Sequence, residues 1–274
     1  ELPPTTITRL RGYTEIARRY MLYREKHKVL REAKTLAQIQ SAQLYVLRNG
    51  KEEVFEQERI QRKLDKIAVG LDKVAVYGIV DEICKTVYNK IPVKEIDQLI
   101  LNCVKAKIEE HYNYSLFSSR LVLNALYEGV LQTPLYGENL ESMYQYKFVS
   151  YIDKGVELGL LDPKLKEYNL EKISQALISS RDLLFHYLGV QTFEDRYLLK
   201  TRVKPQRVFE LPQWLWMRVA MGLAINEENK EERAIEFYNI LSQFYLVSST
   251  PTLFNSGTTH SQMSSCYINV LEDS

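Results

Sequence analysis

The chain has 274 residues, 45% of them apolar and 26% charged, and its 36 basic and 35 acidic side chains leave a formal net charge of +1. That length accommodates two domains of about 100 to 150 residues, and so even a charge balance gives no field favouring nucleic acid or an anionic membrane as partner. No apolar run reaches the roughly 18 to 20 residues that cross a bilayer, and the charged start lacks a signal-peptide core. The three cysteines, Cys84, Cys103 and Cys266, form no C-x-x-C pair and sit beside no His at ligand spacing. A reducing, cytoplasmic setting with no metal bound is therefore expected. The missing initiating Met and the abrupt acidic end at Glu272, Asp273 and Ser274 predict an excerpt from a longer chain.

Residues Glu1 to Gly12, with a Pro pair and three Thr, read as a linker. From Tyr13 the apolar positions Ile16, Ala17, Tyr20, Met21, Leu22 and Tyr23 recur among basic residues and predict a helix to about Ala33, with His27 on its wet end. Next, Tyr45 and Leu47, then Val54 and Phe55, flank Asn49-Gly50, a strong hairpin signal because both turn positions favour positive φ. Helices are predicted over Glu58 to Ala68, Val74 to Tyr88, Val93 to His111 and Ser115 to Glu128. Each has apolar residues at i, i+3, i+4 and i+7, and Pro92 stands where a helix start tolerates it. After a linker containing Thr133-Pro134 and Gly137, helices are expected around Tyr144 to Leu158 and Glu171 to Leu184, with Asp162-Pro163 as a helix start between them. A second hairpin pairs Arg196 to Thr201 with Gln206 to Glu210. Pro212 then opens an amphipathic helix bearing Trp214, Trp216, Val219, Ala220 and Leu223, and another helix runs from Lys230 to Gln243. Only at Cys266 does "CYINVL" take on strand character.

Cys84 and Cys103 fall on apolar helix faces, where a Cys behaves as a small hydrophobe. Cys266 follows Ser264-Ser265 in a polar, turn-rich loop, and a thiol reachable from a pocket can act as reductant or nucleophile. Spacing alone favours a packed strand-end residue there. His260 has no fixed geometry towards it and reads as loop decoration. Ser248 to Thr252 is either a phosphate or ribose cradle or an ordinary helix-to-strand loop, and neither common phosphate-loop signature occurs. The basic "KTRVKPQRVFE" reads as the wet face of a hairpin, the tyrosines between Met143 and Tyr151 as helix packing, and the two Trp as core.

"SSTPTLFNSGTTHSQMSSCYI" resembles a segment of class I ribonucleotide reductase large subunits. In that family a TPT turn, an N-S-G loop and an SSC triplet enter the first strand of a ten-stranded α/β barrel. "RYLLK" and "PQWLWMRVAMGLA" are similar to the helical domain before that barrel, so the likeness runs from about Tyr146 to Ser274. Gln43 to Val130 resembles the ATP-cone, a regulatory nucleotide-binding module with a hairpin lid on four helices, and "IARRYMLYREKHK" the last helix of another cone. The resemblance implies a mainly α fold with four parts. These are a cone remnant and linker over 1–37, an ATP-cone over 38–131, a helical domain over 132–247, and the start of a truncated catalytic barrel over 248–274.

The same resemblance implies roles. Cys266 matches the reductant thiol, which ends in a disulfide with a partner beyond these residues; Thr250 and Ser265 match substrate-pocket residues, with Ser249 assisting; Asp273 matches an acceptor for the specificity effector. It implies no cofactor on this segment, ATP/dATP and (d)NTP effectors for the whole enzyme, and a metal-radical cofactor on a separate, radical-generating small subunit. Thioredoxin or glutaredoxin, a ribonucleoside diphosphate substrate and a homodimer complete the partners, with no nucleic acid and no membrane. The thiyl-radical Cys, the disulfide partner and the radical-relay tyrosines belong to later parts of the family's chain, so these 274 residues alone are expected to be inactive. In the cone, Leu47 stands where the family has Lys and Val93 where it has a hydroxyl residue, while Arg48 and Arg59 remain as phosphate candidates. Each lost charge-assisted bond is worth about 1.5 to 3 kcal/mol, so weak or absent ATP binding is expected. The alternative is a non-catalytic helical scaffold of cone-like repeats, in which Cys266 is inert.

Overall fold

The computed structural model describes residues 44–48, 50–137 and 139–269. The helix expected over Tyr13 to Ala33 with the linker before it, Asn49 of the hairpin turn, and Asp273 lie outside the described residues. The chain divides into two compact units, Glu1–Asp65 with Ala75–Cys103, and Lys66–Val74 with Val104–Ser274.

In the first unit β1 (Tyr45–Arg48) and β2 (Lys51–Val54) form the expected hairpin, with Tyr45 opposite Val54 and Arg48 opposite Lys51. Gly50 takes φ +80° in the turn, a conformation that a Cβ disfavours. A third strand, β3 (Ile91–Pro92), pairs parallel to β1 on its other side, with Val46 opposite Ile91. Two residues are too few to show a period, and Pro92, lacking an N–H, fits only because β3 is an edge. Among the described residues three helices start in this unit: α1 (Gln57–Ile67), α2 (Val76–Thr86) and α3 (Val93–Ala106). α2 buries Val76, Ile79, Val80 and Ile83, one face at helical spacing. Cys84 is half-buried on this helix, and desolvation pushes its thiol up, as for a small hydrophobe.

The second unit contains α4 (Asn113–Val130), α5 (Leu140–Glu157), α6 (Leu170–Gln175), α7 (Tyr187–Thr192), α8 (Pro212–Leu223), α9 (Lys230–Ser242) and α10 (Thr250–Asn255). At its centre is α8, which differs from the amphipathic helix expected: every residue from Pro212 to Met221 is buried. A helix without a wet face must be enclosed, and α9 and α10 both pack on it. Its two polar members, Gln213 and Arg218, are enclosed with the rest.

Other expectations shift for identifiable reasons. Asp162 does start a helical turn, accepting from Lys164 N at 2.9 Å with Pro163 at the first position, but the turn is a short 3-10 element, Pro163–Glu167. The long helix expected over Glu171 to Leu184 breaks into α6 and a 3-10 turn, Ser179–Leu184, whose Asp182 is drawn into the interior by three donors. The second hairpin shrinks to one antiparallel bridge, Lys200 to Val208. Arg196 and Tyr197 remain instead in a π-helical turn, Phe193–Tyr197, anchored by Phe193 against Trp216 at 5.1 Å. Ser248 to Thr252 does not stay a loop either, since Thr250 begins α10 with Pro251 in its first turn. No strand forms over 266–269. Strand backbone groups need a neighbouring strand to pair with, and none lies beside this stretch among the described residues.

Candidate functional site

α10 has six residues, so most of its carbonyls lie in its terminal turn and lack partners within the helix. Arg218 of α8 serves one of them and the carbonyl of Ser256 just past the helix. Its Nη1 donates to Ser256 O at 2.7 Å and its Nη2 to Leu253 O at 3.2 Å. The same guanidinium grips Glu210, Nε donating to Oε1 at 2.7 Å and Nη2 to Oε2 at 3.2 Å, and both side chains are wholly buried. Tyr151 Oη also donates to Glu210 Oε1, and Leu199 N to Oε2 at 3.0 Å, so both carboxylate oxygens are fully engaged. Burial beside this carboxylate pushes the Tyr151 hydroxyl well above its ordinary range, which leaves it a donor.

The link between α8 and α10 is tightened by small residues. Ser256 Oγ donates to Val219 O at 2.8 Å. Gly257 stands at φ +71°, and a Cβ on it would come within 2.6 Å of Arg218 O. A Cβ on Gly222 would fall on the Gly257 backbone. From the far side Asp162 N donates to Gly257 O at 3.1 Å, and Leu161 bridges Thr258. This end of α10 is fixed.

At its other end Ser249 precedes α10 and Thr250 opens it, both exposed. Thr250 Oγ1 lies 3.2 Å from Tyr197 Oη, and Ser249 Oγ lies 3.2 Å from Thr252 Oγ1. The chain then runs back along the helix: Asn255 Nδ2 donates to Gln262 O and Thr252 Oγ1 to Met263 O at 3.5 Å. Beyond those two bonds Ser265 and Cys266 are exposed, with Ser265 Oγ 3.8 Å from the free thiol. The sequence-selected residues therefore form two pairs, Ser249 with Thr250 and Ser265 with Cys266, on segments tied together through Thr252 and Asn255. His260 contributes a backbone N–H to Thr258 Oγ1 at 3.2 Å. Among the described residues no cluster of three or more His, Cys, Asp or Glu could hold a metal ion, and no helix is long and apolar enough to cross a membrane.

A second buried centre lies at the other end of α8. Asp182 Oδ2 accepts from Tyr127 of α4 and from Tyr144 of α5 at 3.0 Å, and Oδ1 from Gln213 Nε2 at 2.7 Å. Gln213 Oε1 accepts from Tyr238 of α9 at 2.7 Å, and Tyr238 Oη in turn accepts from Ile178 N at 3.0 Å. Burial pushes Asp182 up to about 7, against the three donors that favour its ionised form. Three helices thus converge on one carboxyl group, and a fourth, α9, joins through Gln213.

In the first unit the two cations selected for phosphate are already engaged. Arg48 Nε lies 2.9 Å and Arg59 Nη1 3.3 Å from the same oxygen, Oε2 of Glu53. The Arg48 guanidinium holds the Glu53 carboxyl below the usual carboxylate range. Neither Glu53 nor the interior set of Glu210, Arg218, Tyr151, Asp182 and Gln213 was selected from sequence. One signal was available for Arg218: a single charge within "PQWLWMRVAMGL" has no wet face to occupy.

Comparison with known proteins gives two family matches, an ATP cone domain over residues 46–128 and the all-alpha domain of ribonucleotide reductase over residues 183–261. The "Ribonucleoside-diphosphate reductase subunit alpha" of Chlamydia pneumoniae is 35% identical over 282 residues, covering 96% of this chain and 26% of its own length. The Helicobacter pylori protein of the same name is 34% identical over 230 residues, covering 83% of this chain and 28% of its own length. The "Ribonucleoside-diphosphate reductase large subunit" of Vaccinia virus is 28% identical over 232 residues, covering 84% and 29%. The chain thus spans about a quarter of the length of the curated relatives it matches. These names do not favour a stand-alone scaffold. The chain carries an ATP cone domain and the all-alpha domain of ribonucleotide reductase, and along nearly its whole length it is similar to ribonucleoside-diphosphate reductase large subunits.

Proposed function

We propose that this chain is part of a cytoplasmic ribonucleoside-diphosphate reductase large subunit and forms one wall of its substrate site. Residues 38–131 are the ATP-cone, 132–247 the helical domain and 248–274 the opening of the catalytic barrel, preceded over 1–37 by a cone remnant. One observation carries the reading: an exposed free thiol, Cys266, on a segment tied back to the helix that offers Ser249 and Thr250. In this site Thr250 and Ser265, with Ser249, hold the ribonucleotide through hydroxyl groups, and Asp273 accepts from the effector sugar.

Each turnover expels the substrate 2′-hydroxyl as water. Two electrons and two protons come from the Cys266 thiol and a second thiol elsewhere in the complete subunit, which close into a disulfide that thioredoxin or glutaredoxin reopens. A separate small subunit with a metal-radical cofactor generates the radical, and the large subunit works as a homodimer. The cone binds ATP or dATP weakly, which agrees with Glu53 occupying both Arg48 and Arg59. In the complete large subunit with its small subunit, Cys266→Ser abolishes thioredoxin-dependent turnover; unchanged turnover refutes the assignment of Cys266.

A further inference from the structure

We propose that Arg218 is a positioning residue for substrate binding: clamped by Glu210, it sets the angle at which α10 presents Ser249 and Thr250. This role rests on the assignment of Thr250 as a substrate ligand. Three features of the site point to it. First, a helix of six residues is too short to hold itself, because nearly all of its backbone groups are terminal. The placement of α10 must therefore come from outside it.

Second, one side chain holds two carbonyls at one end of α10, beside the bonds of Ser256 Oγ to Val219 O and of Asp162 N to Gly257 O. Arg218 donates to Leu253 O and Ser256 O, at the end of α10 away from Thr250, while Glu210 holds the guanidinium in plane through two bonds. Glu210 is itself fixed by Tyr151 Oη and Leu199 N. A planar fork can serve a carboxylate on one side and two carbonyls on the other; the point charge of a Lys cannot. Third, stability does not account for the pair. Replacing a buried ion pair by apolar groups of the same shape is often neutral or favourable, so this pair is better accounted for by the geometry it imposes. The Gly222 and Gly257 contact, which leaves no space for a Cβ, makes that geometry rigid.

The test is a double-mutant cycle in the complete large subunit with its small subunit, reading KM and kcat for a ribonucleoside diphosphate. Arg218→Lys and Thr250→Ala each raise KM about tenfold with kcat within about twofold, and the double variant stays within about twofold of Thr250→Ala alone, since Arg218 acts through Thr250. Increments that multiply, or an Arg218→Lys enzyme with wild-type KM beside an impaired Thr250→Ala, overturn the positioning role while leaving the substrate assignment intact. An unchanged KM in Thr250→Ala removes that assignment and this role with it. If Arg218→Lys does not fold, Ser256→Ala takes its place, since it deletes only the tether to Val219 O. It raises KM about threefold when Thr250 is present and not at all in Thr250→Ala, and any other pattern overturns the role.

Discussion

Each unit contains a carboxylate gripped by guanidinium, and the two differ in everything except their chemistry. Glu53 meets Arg48 and Arg59 at the surface, with more than a third of each side chain exposed to water. Glu210 meets Arg218 with no exposure at all. At the surface, water and salt screen the attraction and either partner can be exchanged for solvent or for another anion. In the interior no exchange is possible, so each oxygen and nearly every N–H must have an assigned partner, and the assignment fixes the backbone that supplies it. The surface cluster is a contact that a ligand could displace. The buried pair is part of the scaffold.

The sharpest way to break this contrast is to remove one buried partner. Arg218→Met leaves Glu210 ionisable in an apolar interior and lowers stability by about 3–5 kcal/mol, read from urea unfolding; a loss under about 1 kcal/mol would mean that water reaches the pair and the contrast fails. Next in size is the buried acid without a cation. Asp182 keeps its proton in the folded state up to about 7, whereas the unfolded chain releases it near 3.8. Between those values the folded state binds more protons, so this group's contribution to stability falls as pH rises and levels off above about 7. Asp182→Asn, unable to ionise, therefore flattens the decline in urea midpoints measured between pH 4.5 and 7; an unchanged slope would place the titration elsewhere.

The smallest effect belongs to the surface. Glu53→Gln leaves the unfolding midpoint where it is. By freeing Arg48 and Arg59 it tightens dATP binding about threefold at low salt, a gain that disappears at high salt. Micromolar dATP binding by the unaltered protein would overturn the proposal of a weak cone.

Much of the fold could be read locally because its signals are local. Asn49-Gly50 between apolar runs announces the hairpin, Asp162-Pro163 a helical start, and apolar spacing the face that α2 buries. These depend on torsional preference and on neighbours within one turn of chain. At the candidate site the string from Ser248 to Cys266 was legible only as a likeness, and its spacing left cradle and loop equally open. The two-residue β3 was invisible, because a strand that short exists only by virtue of β1 beside it.

What sequence alone determined here is where chain segments turn, bury a face or resemble a known family. Tertiary structure decided the rest: that α10 is a helix hung from Arg218, that Asp182 lies among partners up to 55 residues away, and that 266–269 is not a strand among the described residues. The physical reason is common to all three. A buried carboxyl group, a six-residue helix and a lone strand each have backbone or side-chain groups that cannot be satisfied within their own segment, so their state is set by whichever distant group the fold brings to them.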